Sequence, residues 1–327
     1  MKMKKHAVMI SIIGIAIIVL LGLFYSYHGR FINKENETGK VVLIMKTIER
    51  VSQFWISLER GAIQASEDFG LSIQVTGSDD EDNIDMQINL MDEVIKSKPD
   101  VILLAAADYK RLVAPVKDAI AAGIDVITVD SFIETDDAVC EIGTANYEIG
   151  RKLGQFIFDN TEKDSLVLIV SYVKESSTAI EREEGCRAVL GDDYRICGPV
   201  YNYNIVDTAH EDTLGMLREN PEISIVVALN EYSARGALRA IIDSGRSEDI
   251  FFVSVDSDYD IIHAIENGII AATVVQKPYS MGYLSVKAAY ELIEGKSEPS
   301  RIDTGSVLIT LENMYEPANQ KLLFPLE

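Results

Sequence analysis

The amino-acid sequence predicts an α/β fold of two doubly wound parallel-sheet lobes, preceded by one N-terminal membrane helix. Short apolar runs alternate with amphipathic stretches of about 10–15 residues, which is typical of βαβ units in a parallel sheet. The alternation occurs in two successive sets of about five units each. The chain has 327 residues, which is enough for two domains with sizeable cores.

The N-terminus predicts a membrane segment. Three lysines in "MKMKKH" precede residues 7–27, which are 21 residues without a charge. As a helix this run reaches about 30 Å, the thickness of one hydrocarbon core. The lysines indicate the cytoplasmic side, so the rest of the chain is expected to be extracytoplasmic. The run exceeds the roughly 7–15 apolar residues of a signal peptide, and no small-x-small site follows it, which favours an uncleaved anchor over a cleaved signal. Residues 1–27 are therefore predicted to be a membrane anchor or signal segment, and residues 28–39 a polar stalk.

The first set of elements follows the stalk. Apolar runs predict its strands, and helical periodicity ending in glycine or before proline predicts its helices. The predicted strands are 41–45, 71–77, 100–106 and 124–130, and the predicted helices are 54–70, 84–98 and 111–123.

The second set repeats this pattern and ends the chain. Its predicted helices are 147–161, 177–191, 208–220, 231–245 and 258–268, and its predicted strands are 165–172, 194–201, 223–230, 249–256 and 269–276. A helix over 281–295 and a strand over 306–313 come last. No long linker stands at the joins near 143–145 and 276–278, so the two lobes are expected to be directly connected.

Charge and cysteine content exclude several classes of protein. The formal net charge is −22, which argues against a nucleic-acid partner, because phosphate binding needs a basic face. Cys140, Cys186 and Cys197 form no CxxC motif and no metal-ligand spacing. Cys186 and Cys197 could pair, although reduced and partly buried thiols are the favoured interpretation.

Polar residues stand at the ends of four apolar strands. They are Asp130, Asn230, Asp256 and Gln276. Ligands of open α/β sheets bind beyond the carboxyl ends of the strands, so these side chains are candidates for a binding site. Each Asp or Asn could instead cap the following helix. Four such ends together, one of them a glutamine that caps poorly, favour a site for a polar ligand.

The sequence resembles the type I periplasmic sugar-binding proteins of the ribose-binding kind, which share their core with LacI-type repressors. "QFWISLERGA", "VITVDS", "STAIEREEG", "ALNEYSARGALRAI", "VSVDSD" and "AATVVQKPYSMG" carry the resemblance, in the family's order and spacing. It runs from about Lys40 to about Asn313. No helix-turn-helix precedes the core and a membrane segment does, so the chain resembles a binding protein more than a repressor.

The resemblance implies two lobes that close on a monosaccharide about a three-segment hinge. The N-terminal lobe is expected at 40–143 plus 277–305, and the C-terminal lobe at 144–276 plus 306–327. The positions that match the family's ligand contacts are Phe54, Trp55, Asp130, Arg182, Tyr203, Asn230, Asp256 and Gln276. Aromatic rings would cover the apolar face of a sugar, and carboxylate, guanidinium and amide groups would bind its hydroxyls. Charged hydrogen bonds are worth roughly 1.5–3 kcal/mol, so Asp130, Arg182 and Asp256 are expected to dominate affinity.

Four of these residues could also lie outside the ligand site. Phe54 and Trp55 could be core residues, but neighbours on a helix point about 100° apart, so at least one should face the cleft. Arg182 stands among three glutamates and could form a solvated ion pair. Tyr203 competes with Tyr201, which is expected on the same strand face.

Three positions depart from the ribose-binding pattern. Ser131 stands where the family often has arginine, Ser52 replaces an asparagine, and Ala105 replaces a polar residue. All three belong to the N-terminal lobe, so the ligand is expected to be larger than ribose or less hydroxylated on one edge.

We therefore expect an extracytoplasmic solute-binding protein for a sugar or polyol, anchored in the cell membrane, with an ABC permease as its partner. Presentation of the closed state to a membrane histidine kinase is the alternative. An effector-binding regulator or an enzyme is less favoured, since no GxSxG, P-loop or HExxH motif is present. No cofactor and no metal are expected, because the acidic loop at 77–85 lacks the EF-hand order and is predicted to be solvated near the cleft mouth.

Overall fold

The computed structural model describes residues 39–50, 52–297 and 300–324. The predicted anchor and nearly all of the predicted stalk lie outside these residues. No helix in the described ranges combines the length and the apolarity that crossing a bilayer requires.

The first sheet has six strands, and all five of its pairings are parallel. The strands are β1 (Lys40–Thr47), β2 (Ser72–Ser78), β3 (Val101–Leu104), β4 (Asp125–Val129), β5 (Cys140–Gly143) and β11 (Arg301–Asp303). Their order across the sheet is β11-β5-β4-β3-β1-β2. The associated helices are α1 (Gln53–Phe69), α2 (Ile84–Ser97), α3 (Val113–Ala121) and α9 (Pro278–Ile293).

The second sheet also has six strands, of which the last in the chain is antiparallel to its neighbour. The strands are β6 (Leu166–Ser171), β7 (Arg195–Tyr201), β8 (Ile223–Ala228), β9 (Phe251–Val255), β10 (Ile270–Val275) and β12 (Val307–Ile309), in the order β12-β10-β9-β8-β6-β7. Its helices are α4 (Asn146–Asn160), α5 (Ser177–Leu190), α6 (Val206–Glu219), α7 (Glu231–Asp243), α8 (Tyr259–Glu266) and α10 (Pro317–Leu323). The predicted α/β class with two parallel-dominated sheets is thus confirmed.

The chain passes between the two sheets three times. It does so after β5, after β10 and between β11 and β12. Asp303 ties two of these segments together, because its Oδ1 accepts hydrogen bonds from the backbone N–H of Ala145 at 3.1 Å and of Gly305 at 2.9 Å. Lys152 donates to the carbonyl oxygen of Ser306 at 2.7 Å. The first and third of these segments are therefore connected by polar contacts.

Two short strands were not predicted. β5 has four residues and β11 has three, and runs this short carry too little periodicity to be recognised. The final strand was predicted over 306–313 but spans only Val307–Ile309. Helix α9 begins three residues earlier than predicted, with Pro278 in its first turn. A backbone N–H at that position has no partner within the helix, so a proline there costs no hydrogen bond.

Apolar side chains of the strands are buried on both faces of each sheet. In β1 the neighbours Leu43 and Ile44 are both fully buried, yet they belong to different core clusters. Successive side chains of a strand point to opposite faces, so helices cover the first sheet on both sides. Parallel sheets covered in this way expose only their edges and strand ends to a ligand.

Glycines bring two helix pairs into close contact. A Cβ atom at Gly282 of α9 would collide with the Leu58 carbonyl oxygen of α1, and one at Gly61 would collide with the Tyr279 carbonyl oxygen. In the second lobe, a Cβ atom at Gly150 of α4 would collide with the Arg182 carbonyl oxygen of α5. The last contact fixes the helix that carries a predicted ligand residue.

Candidate functional site

A cavity of about 40 Å³ lies where the carboxyl ends of strands from both sheets face each other. The lining residues are Lys46, Ser52, Phe54, Trp55, Glu81, Asp130, Tyr172, Thr178, Arg182, Asn230, Glu231, Tyr232, Asp256 and Gln276.

Seven of the eight residues predicted from the sequence line this cavity. They are Phe54, Trp55, Asp130, Arg182, Asn230, Asp256 and Gln276. They come from the start of α1, from α5 and from the ends of strands β4, β8, β9 and β10.

Tyr203 does not line the cavity. Its side chain is 45% exposed, and it follows the last residue of β7, Tyr201. Tyr203 and Asn204 both have a positive φ, so the backbone turns away from the strand direction. The alternation of strand faces that linked Tyr203 to Tyr201 therefore does not extend to this residue.

A buried ion pair forms part of the first-lobe wall. Lys46 Nζ donates to Asp130 Oδ2 at 3.1 Å, and both side chains are almost fully buried. The Ser131 hydroxyl donates to the same oxygen at 2.7 Å. Asp130 has a φ of 64°, a left-handed conformation that aspartate tolerates better than most residues. Lys46 was not predicted, although it directly follows the apolar run of β1 and so resembles the strand-end position that indicated Asp130.

The aromatic pair of α1 has two roles. The rings of Phe54 and Trp55 meet edge to face with centroids 5.0 Å apart. Both line the cavity, but Trp55 is also part of the first-lobe core and only 3% exposed. Its indole Nε1–H donates to Glu81 Oε1 at 2.5 Å. At least one of the two rings was expected to face the cleft, and both line the cavity.

Arg182 is buried and held by neutral acceptors. Its side chain is 3% exposed, which is incompatible with a solvated ion pair. Nε donates to Asn146 Oδ1 and Nη1 donates to the Leu229 carbonyl oxygen, each at 2.8 Å. Nη1 also lies 3.9 Å from Asp256 Oδ2. These contacts hold the guanidinium at one orientation in the wall of the cavity.

Asp256 and Gln276 form a hydrogen-bonded pair at the ends of neighbouring strands. Gln276 Nε2 donates to Asp256 Oδ1 at 2.7 Å. Burial raises the pKa of Asp256, an effect that Arg182 opposes. The helix that follows is capped by Asp258, whose Oδ1 accepts from the Ile261 N–H, so Asp256 does not serve as that cap.

Asn230 combines both of the roles considered for a strand-end residue. Its Oδ1 accepts from the Ser233 N–H at 2.9 Å and so caps α7. Its Nδ2 donates to Asn204 Oδ1 at 2.7 Å, and the side chain lines the cavity. Capping and cavity lining are thus compatible at this position.

Two glutamates of the cavity were not among the predicted ligand residues. Glu231 Oε2 accepts from the Ser52 hydroxyl of the first lobe at 2.8 Å, and burial raises the pKa of Glu231 to about 8. Glu81 Oε2 accepts from Asn204 Nδ2 of the second lobe at 3.2 Å, and burial raises the pKa of Glu81 to about 7. The prediction that the acidic loop is solvated is therefore wrong for Glu81.

Three hydroxyl-bearing residues complete the second-lobe wall. The Tyr172 and Thr178 hydroxyl oxygens lie 2.6 Å apart and form a hydrogen bond. Burial raises the pKa of Tyr172 and of Tyr232, so both phenols remain neutral donors at physiological pH. The cavity thus offers aromatic surface together with donors and acceptors on both sides, the combination that a polyhydroxylated ligand requires.

Comparisons with known proteins agree with this architecture. The family described as "Periplasmic binding protein domain" matches residues 41–297. The ribose import binding protein RbsB of Bacillus subtilis (strain 168) is 25% identical over 77% of this chain and 83% of its own length.

Two solved structures show the same fold over most of the chain. An ABC transporter solute-binding protein from Agrobacterium vitis, solved with bound D-fucose, superposes with a TM-score of 0.84 and 28% identity over 87% of this chain and 100% of its own. A sugar transporter from Clostridium phytofermentans superposes with a TM-score of 0.76 and 34% identity, over 84% of this chain and 99% of its own. The family match, these relatives and the two-sheet fold together show that this chain belongs to the type I periplasmic sugar-binding proteins.

Proposed function

We propose that this protein is an extracytoplasmic solute-binding protein that binds a monosaccharide or a similar polyol in the cavity between its lobes. The observation that carries the proposal is the composition of that cavity. Phe54 and Trp55 supply aromatic surface, and buried polar groups from both lobes supply donors and acceptors. The relatives named above are described as binding or transporting sugars, which supports the same ligand class.

The polar groups are suited to hydroxyl recognition. A hydroxyl donates one hydrogen bond and accepts up to two, so its site must offer both kinds of partner. Arg182 and Lys46 are donors, Asp130 and Asp256 are acceptors, and Gln276 can be either. Because these groups are held by protein hydrogen bonds, they can bind a ligand without first losing much side-chain entropy.

Ribose itself is not the ligand that we propose. The Ser131 hydroxyl is bonded to Asp130, and the Ser52 hydroxyl is bonded to Glu231. Ala105 is buried without a polar side chain. The three positions that depart from the ribose-binding pattern therefore do not present free polar groups in this arrangement, whereas Lys46 and Glu81 introduce charged ones.

Binding is proposed to work by hinge closure. The lobes are taken as residues 40–143 plus 277–305 and residues 144–276 plus 306–327, connected by the three crossings. Direct bonds across the cleft, such as the one from the Phe132 N–H to the Ser177 hydroxyl at 3.1 Å, accompany the closed arrangement. A ligand that contacts both lobes would stabilise this arrangement over an open one, in proportion to its differential affinity for the two.

The proposed destination of the ligand is an ABC permease. The uncharged run at 7–27 would hold the protein at the outer face of the cell membrane. The same anchor also favours the alternative role, in which the closed state is presented to a membrane histidine kinase. Ligand-dependent stimulation of a reconstituted permease ATPase would support delivery, whereas ligand-dependent kinase autophosphorylation would support sensing.

The test of the ligand class is thermal melting of the full-length protein against pentoses, hexoses, polyols and amino sugars. A ligand at a hundred times its dissociation constant should stabilise the fold by about 2.7 kcal/mol, a shift of a few degrees. Asp130→Asn and Arg182→Gln should abolish the shift, and the surface variant Asp193→Asn should retain it. A panel in which no compound shifts the melt would overturn the sugar assignment.

A further inference from the structure

The cavity contains more carboxyl groups than cations. Its cationic side chains are Lys46 and Arg182, and its carboxyl groups are Asp130, Asp256, Glu81 and Glu231. If all six were ionised, two negative charges would remain uncompensated inside a largely buried space. Burying an uncompensated charge is costly, so each excess carboxyl group needs either a proton or a cation.

Both cations lie against the aspartates. Lys46 Nζ is 3.1 Å from Asp130 Oδ2, and Arg182 Nη1 is 3.9 Å from Asp256 Oδ2. No further cation lines the cavity among the described residues. The two glutamates are therefore the groups left without a cation from the cavity wall.

The described part of the chain places one further cation near Glu231, namely Arg235, which is shared with Asp258. Arg235 Nη1 lies 4.0 Å from Glu231 Oε1, beyond hydrogen-bonding distance, and Arg235 Nε contacts Asp258 at 3.1 Å. Among the described residues Glu81 forms no ion pair within 4.0 Å; its oxygens accept from the neutral donors Trp55 and Asn204.

Two acceptor atoms in the cavity wall have no hydrogen-bond partner. They are Glu231 Oε1 and Gln276 Oε1, on side chains that are only 3% and 2% exposed. Native proteins satisfy nearly all buried polar atoms, so an unsatisfied acceptor in a cavity points to a donor on the ligand. An alkylammonium group has three donors and no acceptor, which matches acceptors that lack donors better than a hydroxyl does.

We propose that the ligand carries a primary ammonium group, so that the protein binds an amino sugar in preference to the corresponding neutral sugar. Glu231 Oε1 and Gln276 Oε1 accept from the ammonium, and Glu81 adds a second negative charge to the same cavity. This inference rests on the proposed function, because it specifies the class of sugar for the same site. Charge-assisted hydrogen bonds from an ammonium are stronger than those between neutral groups.

The protonation of the glutamates agrees with this assignment. Burial raises the pKa of Glu81 to about 7 and that of Glu231 to about 8, so both carboxyls hold protons to a large extent near neutral pH. A ligand ammonium would take the place of these protons and return the carboxyls to their ionised form.

The experiment is isothermal titration of the full-length protein, at pH 6.5 and 7.5, with three matched pairs of sugars. The pairs are D-glucose and D-glucosamine, D-galactose and D-galactosamine, and D-mannose and D-mannosamine. In at least one pair we expect the amino sugar to bind at least tenfold more tightly. Glu231→Gln, which retains a partner for Ser52 but removes the charge, should reduce this preference to less than threefold. Glu211→Gln, which changes an exposed carboxyl on α6, should leave it unchanged.

The outcomes separate this inference from the proposed function. Equal or tighter binding of the neutral member in every pair would overturn the amino-sugar inference while the sugar-binding function stands. A preference for amino sugars that survives Glu231→Gln would overturn the role of Glu231. If no member of any pair and no compound of the wider sugar panel binds, both proposals fail.

Discussion

The Ser52 hydroxyl donates a hydrogen bond of 2.8 Å to the Glu231 carboxylate and thereby joins the start of α1 to the start of α7 across the cleft. Ser52 directly precedes α1, and Glu231 is the first residue of α7. Each of these helices follows a strand that ends at the cavity. The bond connects the two lobes without involving a ligand, so it should contribute to the balance between open and closed states.

Ser52→Ala should weaken ligand binding by favouring the open state. A hydrogen bond to a charged group contributes about 1.5–3 kcal/mol, and about 0.5–1.5 kcal/mol if Glu231 is protonated. We expect affinity to fall between about twofold and about 150-fold on this basis, with little change in the melting temperature of the ligand-free protein. Small-angle scattering should show a larger radius of gyration for the variant. Ser52→Thr retains the hydroxyl and should behave like the wild type; equal scattering for all three proteins would contradict the prediction.

Gly282→Ala should destabilise the first lobe. The added Cβ atom would collide with the Leu58 carbonyl oxygen, and separating α9 from α1 would cost about 1–3 kcal/mol or more. Urea denaturation measures the free energy of unfolding. Gly215→Ala is the matched control, because Gly215 lies within α6 with nothing within 4 Å of its added Cβ. That variant should gain about 0.5–1 kcal/mol, so a loss of stability in both variants would refute the packing argument.

Lys46→Met should destabilise the protein strongly. It leaves the Asp130 carboxylate buried without its cation, and breaking a buried ion pair in this way costs about 3–5 kcal/mol. Lys163→Met removes a lysine from a pair with Asp193 of similar length, 2.9 Å, in which both side chains are about half exposed. The second variant should cost no more than about 1 kcal/mol. Similar losses in the two variants, measured by urea denaturation at pH 7, would show that burial of the Lys46 pair is not decisive.

Glu231 should make the folded protein less stable as pH rises. A glutamate in the unfolded chain has a pKa of about 4.3, whereas burial in the fold raises the pKa of Glu231 to about 8. Between these values the folded state holds a proton that the unfolded state has lost. The stabilisation that the protonated Glu231 contributes to the folded state is therefore fully present below about pH 4.3. It decreases up to about pH 8, by at most about 1.4 kcal/mol per pH unit.

Glu231→Gln should remove this contribution. The free energy of unfolding should be measured for both proteins from pH 4 to pH 9. As pH increases over this range, the value for the variant should rise relative to that of the wild type. Parallel curves for the two proteins would mean that Glu231 has the same pKa in the folded and in the unfolded chain, and would contradict the prediction.

Tyr203→Ala should leave ligand affinity within about twofold, because its side chain is 45% exposed and lies outside the cavity lining. Phe54→Ala removes an aromatic ring from the cavity, and burial of such a ring is worth about 1.5–3 kcal/mol, so affinity should fall at least tenfold. Titration with any sugar that the panel identifies would test both variants. A larger loss in Tyr203→Ala than in Phe54→Ala would return Tyr203 to the site.

Local patterns predicted the cavity residues that lie at strand ends. Asp130, Asp256 and Gln276 end apolar runs, and the carboxyl ends of parallel strands meet at one edge, so their proximity follows from the sheet topology. Arg182 and the aromatic pair required the family resemblance, because an arginine in a charged helix or two rings in a helix are more often surface or core residues.

Other residues could not be predicted because their positions depend on contacts between segments far apart in the chain. Glu81 stands in a loop with many acidic neighbours, and only its contacts with Trp55 and Asn204 show that it lines the cavity. Tyr203 was predicted to line the site but lies outside it. The left-handed backbone at residues 203 and 204 sets the turn after β7, and the sequence pattern did not indicate this conformation.

The alternation of apolar strands and amphipathic helices by itself determined the two-sheet α/β class, because the periodicity of side-chain burial is a local property of each segment. The net charge and the strand-end residues likewise indicated a polar ligand rather than a nucleic acid. Only the tertiary structure decided which charges are compensated. The pairing of Lys46 with Asp130, the approach of Arg182 to Asp256 and the lack of a hydrogen-bond partner for Glu231 Oε1 depend on distances of a few ångströms between side chains from separate segments. Electrostatic energy changes steeply over such distances in a buried site, so residue type and order alone do not determine it.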